Sequence, residues 1–222
     1  MIKKLINLFF SIIKGDVVLD YYAIGIKRER IFSIPKFTNY IRIHNLELVA
    51  QEIKEKGLKG AIAEVGVYKG EFAKYLNIAF PEKKLYLFDT FEGFDSNDVS
   101  IENEKSFSTA DQDFSNTSIN EVLSKMKFKN NCIIKQGYFP ESLDGIEETF
   151  SFVSLDADLY KPIKDGLIYF YPRLEKGGFI FIHDYNNDLY RGAKQAVREF
   201  AEEYGVSYTP LPDTWGTVAI TK

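Results

Sequence analysis

The sequence predicts an α/β fold: a seven-stranded, mostly parallel sheet with helices on both faces and a C-terminal antiparallel hairpin. Three observations lead there. From residue 60 onward, short apolar runs alternate with helix-length segments, the pattern of a parallel sheet covered on both sides. Several of those runs end in a carboxylate, at Glu64, Asp89 and Asp156, as strands do when their carboxyl ends open into a ligand crevice. The final stretch, "SYTPLPDTWGTVAITK", carries Pro210 and Pro212 ahead of an alternating run, and proline belongs at a sheet edge, where no ladder N–H is needed.

In chain order, Lys3 and Lys4 precede a nine-residue apolar run, Leu5 to Ile13. Nine residues are too few to span a bilayer, and no small-x-small cleavage pattern follows. The run is read as an amphipathic helix packed on the domain or on a partner subunit, ahead of a membrane-surface helix and of a cleaved signal. The segment 30–60 reads as a loop, placed to act as a lid, and a helix over roughly 42–56 that closes at Gly57. This divides the chain into an N-terminal helical extension and lid, 1–58, and a main domain, 59–222. Strands are expected at 61–67, 84–89, 132–136, 150–155 and 178–183, with helices at 71–80, 119–126, 163–174 and 191–204. In the last helix Ala193, Val197 and Phe200 share one stripe. Two short strands around a proline-containing loop complete the sheet.

A chain of 222 residues buries roughly 70% of its unfolded surface and needs no staples. Its 19 Phe and 14 Tyr suit a large core, and its net charge of −4 gives no general affinity for nucleic acid. Cys132 is the single cysteine, so no internal disulfide forms, as expected of the cytoplasm; within "NNCIIKQ" it reads as a core residue rather than a nucleophile. The two histidines, His44 and His183, form no cluster with cysteines, which excludes a structural zinc site. His44 reads as a surface or helix-end histidine, with a lid-borne substrate contact, shared with Arg42 or Tyr40, as the alternative.

In "AEVGVYKGEF" an apolar run passes into a turn bounded by Gly66 and Gly70, with a helix behind it. The spacing is not G-x-G-x-x-G, so a pyrophosphate cradle is not spelled out, although a helix start behind a tight turn suits a carboxylate ligand. A purely structural turn accounts for it equally well. Asp89 closes the second strand 23 residues after Gly66, where a carboxylate can grip ribose hydroxyls with both oxygens. Together the two strand ends point to S-adenosylmethionine or a related adenosyl ligand.

Asp156 and Asp158 follow the fourth strand, and His183 and Asp184 follow the fifth, beside it. Asp156, Asp184 and Asn186 form an oxygen donor set of the kind that holds Mg²⁺. A cation there would make a hydroxyl acidic enough to attack a sulfonium methyl group. Asp158 either caps the helix that follows or contacts the substrate or metal-bound water.

The stretches "AEVGVYKG", "LYLFDTFEGF", "GYFPESL" and "LDADLYKPIKDGLIYFYPRLEKGGFIFIHDY" resemble the macrocin O-methyltransferase family in order and over about residues 60–220. These are Rossmann-like class I methyltransferases that use S-adenosylmethionine and a divalent metal such as Mg²⁺ or Mn²⁺ to methylate sugar hydroxyls. The resemblance implies a cofactor site lined by Glu64, Gly66, Val67, Tyr68, Gly70, Asp89 and Thr90. Gly137, Tyr138 and Phe139, with Asp113 and Ser115, would border the adenine. It implies metal ligation by Asp156, His183 and Asp184, with Asp156 also the general base. Where the family has Asp-Asp-Tyr, this chain has His183-Asp184-Tyr185. That exchange turns the site toward Mn²⁺, Fe²⁺ or Zn²⁺, makes His183 the general base, or leaves it bonding backbone. The implied acceptor is a glycoside, nucleotide sugar or surface polysaccharide, selected by loops 30–45, 95–118 and 186–190, and the apolar N-terminus is compatible with a homo-oligomer. Two rivals stand beside this reading. Asp156-Ala157-Asp158 also fits the Asp-x-Asp of nucleotide-sugar enzymes, and a methyltransferase fold can persist as an inactive binding protein.

Overall fold

The computed structural model describes residues 31–32 and 40–222; the apolar run Leu5–Ile13 and most of the expected lid loop lie outside the described residues. The span Ile31–Lys222 forms one compact unit. Its sheet has seven strands in the order β3-β2-β1-β4-β5-β7-β6. These are β1 Ala61–Val65, β2 Leu85–Asp89, β3 Cys132–Gln136, β4 Phe150–Leu155, β5 Leu174–Ile182, β6 Thr209–Leu211 and β7 Thr217–Thr221. The first five pair in parallel, and β7 runs antiparallel to both β5 and β6. Pro210 lies in β6, the edge strand, as its missing N–H requires.

Strand alternation sorts the core into two layers. Beneath one face, Ala61, Ala63, Val65 and Phe150 pack on α5 (Tyr160–Arg173) and α6 (Arg191–Tyr204) through Leu167, Phe170, Val197 and Phe200. Beneath the other, Ile62, Leu85, Leu87 and Phe152 meet α1 (Tyr40–Glu55), α2 (Ala73–Ala79) and α4 (Ile119–Lys125). From α1 come Ile43, Leu46, Val49, Ala50 and Ile53, spaced for one buried stripe.

Three local departures from expectation have clear causes. β1 ends at Val65, because Gly66 turns the chain at φ +83. A Cβ on Gly66 would lie 2.2 Å from the Asp156 carbonyl oxygen, so only glycine permits β1 and β4 to close there. β5 begins at Leu174 rather than Gly178, its register on β4 shifting between the Phe150 and Phe152 pairs. Within the expected acceptor loop 95–118 lies a helix, α3 (Ser96–Glu104), whose N-cap Asp95 accepts from Asn97 N–H.

The order of the sheet reverses between β1 and β4, and the crevice at such a reversal, outside the carboxyl ends of the strands, is where ligands bind in this architecture.

The ring of Phe170 is fully buried and touches those of Phe88, Phe139, Phe150 and Tyr169. Phe170→Ala is expected to cost about 3–5 kcal/mol of stability in urea unfolding, and a loss under about 1 kcal/mol would contradict this packing.

Candidate active site

A cavity of about 590 Å³ opens at the carboxyl ends of β1, β2, β4 and β5. Nine residues expected at the cofactor end line it: Glu64, Gly66, Val67, Tyr68, Asp89, Thr90, Gly137, Tyr138 and Phe139. Three others do not. Gly70 faces α4, where a Cβ would meet Val122 at 3.2 Å, so its role is packing rather than ligand approach. Asp113 and Ser115 close an exposed turn on each other, the Ser115 N–H and hydroxyl both donating to Asp113 Oδ1. Phe114 between them reaches the cavity instead, edge-on to Tyr68 and Phe94.

Asp89 also differs from expectation. Its Oδ2 accepts the backbone N–H groups of Val67 (2.7 Å) and Tyr68 (2.8 Å), and its Oδ1 accepts that of Phe91 (2.7 Å). A carboxylate offers about four lone-pair positions, so only one remains, on Oδ1. Asp89 therefore clamps the turns after β1 and β2 and is left able to take a single hydroxyl. Glu64 is the converse case. It is 1% exposed and its Oε2 has no hydrogen-bond partner. Burial first, and the Asp156 charge second, hold its carboxyl well above the usual range.

In the same cavity, at the adjoining ends of β4 and β5, the expected chemistry-bearing residues converge. His183 Nδ1 lies 2.9 Å from Asp156 Oδ1 and 2.8 Å from Asp184 Oδ2. Asp156 Oδ2 accepts from Arg42 at 2.8 Å, and the other arm of that guanidinium donates to Ser154 at 3.0 Å while its plane covers the Phe72 ring at 3.8 Å. Asn187 donates to Asp184 Oδ1 at 2.8 Å. Behind His183, Asp213 stands 4.0 Å from Nε2 and accepts from the Thr217 N–H and hydroxyl. Asn186, expected among the donors, instead accepts from Lys194 and packs against Gly216, and its neighbour Asn187 faces the cluster.

The electrostatics follow from these contacts. Burial pulls the His183 imidazolium down, but the Asp156 charge, with hydrogen bonds to Asp156 and Asp184, outweighs it and lifts His183 to about 9. Burial raises Asp156, yet Arg42 and His183 together hold it well below the usual carboxylate range. Asp158 is held well above, by burial and then by the charges of Asp184 and Asp156.

Asp158 is not a helix cap. No side chain caps α5 from its own N-terminal segment; the Tyr160 N–H donates to Glu102 of α3 at 2.5 Å. Asp158 adopts φ +59 and Asp184 φ +60, left-handed backbone that Asp tolerates better than most residues, and both carboxyls line the cavity. The His44 ring lies against that of Tyr40 at a 53° tilt, centroids 3.9 Å apart, with Nδ1 3.6 Å from Glu47, as a helix-face histidine.

The donor atoms of Asp156, His183 and Asp184 lie within 4.8 Å of one another. Neighbouring ligands around an ion bound at about 2.1 Å stand about 3 Å apart, close to the two short separations at His183 Nδ1. The residues therefore fit a divalent cation, on condition that Nδ1 gives up its proton and Asp156 contributes Oδ1 alone.

Comparison with known proteins places these observations. Residues 35–217 match the family described as Macrocin-O-methyltransferase (TylF). The chain is 25% identical over 194 residues to the 8-demethyl-8-(2,3-dimethoxy-alpha-L-rhamnosyl)-tetracenomycin-C 4'-O-methyltransferase of Streptomyces olivaceus, covering 79% of this chain and 70% of that protein. It is 26% identical over 180 residues to the Mycinamicin III 3''-O-methyltransferase of Micromonospora griseorubida, covering 75% and 70%. Its fold is similar to that of the O-methyltransferase NovP, with a TM-score of 0.66 at 19% identity over 82% of this chain and 80% of that one. CalS11, a calicheamicin methyltransferase, follows at 0.65 and 18% over 81% and 78%.

Asp98, in the cavity wall, gives a pH signature separate from the cluster. Burial lifts its carboxyl to about 6, against the hydrogen bond from Tyr138. A carboxyl raised above its unfolded value costs nothing while protonated in both states. Stability therefore falls as pH rises from about 4 to 6, by up to roughly 3 kcal/mol at 1.36 kcal/mol per unit. Asp98→Asn keeps the acceptor for Tyr138. It should match the wild type in urea unfolding at pH 4 and be about 1–3 kcal/mol more stable at pH 7.5. An equal difference at both pH values would contradict the assignment.

Proposed function

The chain belongs to the macrocin O-methyltransferase family, and from that premise we propose that it moves the methyl group of S-adenosylmethionine to a sugar hydroxyl with the help of a divalent cation. The carrying observation is one cavity lined both by Glu64, with a buried, unpartnered oxygen, and by the Asp156–His183–Asp184 cluster. The Streptomyces olivaceus relative is named for O-methylation of a rhamnosyl-tetracenomycin, which supports a sugar acceptor, and the Micromonospora griseorubida relative for O-methylation of mycinamicin III. The nucleotide-sugar reading of Asp156-Ala157-Asp158 gives way to the family match.

When bound, S-adenosylmethionine supplies an electrophilic methyl group, and a divalent cation lowers the pKa of the hydroxyl that attacks it. Glu64 receives the ammonium of the amino-acid end; a cation there offsets the burial that otherwise keeps its carboxyl protonated. Asp89 holds the Val67–Tyr68 turn and takes one ribose hydroxyl on Oδ1. Tyr138 and Phe139 border the adenine. Arg42 occupies one oxygen of Asp156, so that carboxylate serves as a single-oxygen ligand and a poor base. With Nδ1 holding a cation, His183 would have no lone pair there to accept a proton. The proton of the acceptor hydroxyl goes to Asp158, which lines the cavity beside the cluster. Burial and the Asp184 and Asp156 charges hold its carboxyl well above the usual range, and a cation held by the cluster would offset those charges and free its carboxylate to accept. The reaction needs no covalent enzyme intermediate, and in-line placement of oxygen, methyl carbon and sulfur supplies the rest.

Two measurements test this. Isothermal titration should show S-adenosylhomocysteine binding that Glu64→Gln weakens about 10-fold or more, consistent with loss of a buried charge-assisted contact; no binding at millimolar ligand ends the proposal. Asp158→Asn should lower kcat by about 10²–10⁴-fold at unchanged S-adenosylhomocysteine affinity. Wild-type turnover in that variant would remove Asp158 as the base.

A further inference from the structure

Among the described residues, six large hydrophobic side chains are more than a third exposed, and two of them, Leu189 (65%) and Trp215 (46%), line the cavity. Single exposed apolar residues are ordinary on any surface. A pair at the mouth of one cavity is not scattered, and its backbone is tied to the chemistry. The Tyr185 N–H donates to the Gly216 carbonyl at 2.8 Å and the Asn186 N–H to that of Trp215 at 3.0 Å, so the β6–β7 turn is stitched to the residues that follow Asp184. Leu189 N–H donates to Asn187 Oδ1 at 3.0 Å, and Asn187 holds Asp184. A ring resting on this lip therefore has its position fixed relative to Asp184 and His183.

Charge narrows what can rest there. Eight residues lining the cavity are acidic, against Arg42, Lys69 and His183. Even with Glu64, Asp98 and Asp158 protonated, and Glu71 paired with Lys74 and Lys125, four carboxylates face those three groups. A sulfonium donor and a divalent ion suit such a field, and a pyrophosphate does not. The nearby cations Arg191 and Lys194 do not line the cavity; they donate to Ser106 and Phe107 carbonyls and to Asn186.

We propose that Leu189 and Trp215 form the acceptor platform, holding the C–H face and apolar substituent of an uncharged glycoside and selecting against nucleotide sugars. This rests on the methyltransferase reading above and names its substrate class. The indole gives a rigid apolar wall at low entropic cost, and Leu189 extends it toward solvent, where an aglycone would lie.

Trp215 is the only tryptophan in the chain, so its fluorescence reports on the platform directly. The protein, saturated with S-adenosylhomocysteine and Mg²⁺, is titrated with octyl rhamnoside and octyl glucoside below their micelle concentrations, and with the nucleoside diphosphate derivatives of the same sugars. Before acceptor is added, the emission should be that of a solvent-facing indole. The octyl glycosides should shift it to the blue saturably, and the nucleotide sugars should bind at least ~10-fold more weakly. Calorimetry of Trp215→Ala and Leu189→Ala should show octyl glycoside binding weakened ~10-fold by loss of a packed contact, with S-adenosylhomocysteine affinity unchanged. Equal or tighter binding of nucleotide sugars overturns the selectivity. Buried emission before acceptor is added, or no response to octyl glycosides while S-adenosylhomocysteine binds, overturns the platform. Failure to bind S-adenosylhomocysteine overturns instead the methyltransferase reading on which it stands.

Discussion

The site depends on one shared carboxylate. Asp156 is held in place by the closure of β1 on β4, where its own N–H bonds to the Val65 carbonyl and Gly66 leaves room for its backbone. Its two oxygens then face different partners, Arg42 on one side and His183 on the other. A carboxylate in such a place is costly without counter-charge. The guanidinium supplies that charge permanently, and the imidazole supplies it as long as it carries a proton. Because Arg42 comes from α1, the helix packed beneath the sheet also becomes part of the electrostatics of the strand ends.

The histidine after β5 changes the character of this arrangement. Three converging carboxylates would repel one another unless a cation joined them. With His183 between Asp156 and Asp184, a proton on Nδ1 can hold the same two oxygens at hydrogen-bond distance. A bound cation would compete with that proton for the same nitrogen atom, and Asp213 stands behind the ring, 4.0 Å from Nε2.

Most of the fold was legible because its signals are local. Apolar runs bounded by turns marked the strands within a few residues, and β3, β4 and α6 fell on the expected spans. Asp156, His183 and Asp184 were legible because each ends a strand, and adjacent parallel strands must bring such ends together. What escaped was set by tertiary contact. Arg42 lies 114 residues from its partner, and nothing in its helix announces it as a ligand of Asp156. Asn186 and Asn187 differ by one position, and the left-handed turn at Asp184 decides which of them faces inward. The partial commitment of Asp89 to backbone N–H groups could not be read from a strand-ending aspartate. Helix α3 was missed because its exposed face is polar and few apolar residues mark its packing.

That helix has a further importance through Glu102. The side chain is fully buried, accepts the first N–H of α5 and a hydroxyl from Ser108, and lies where any Cβ on Gly192 would intrude. The segment carrying it also forms part of the cavity wall through Asp95 and Asp98. Grafting a foreign loop over residues 95–108 to retarget the enzyme would therefore remove a keystone of α5 and α6, leaving an orphaned amide at the base of the strand end that carries Asp156. A redesign of this region that keeps a carboxylate at position 102 retains that support, whatever sequence surrounds it.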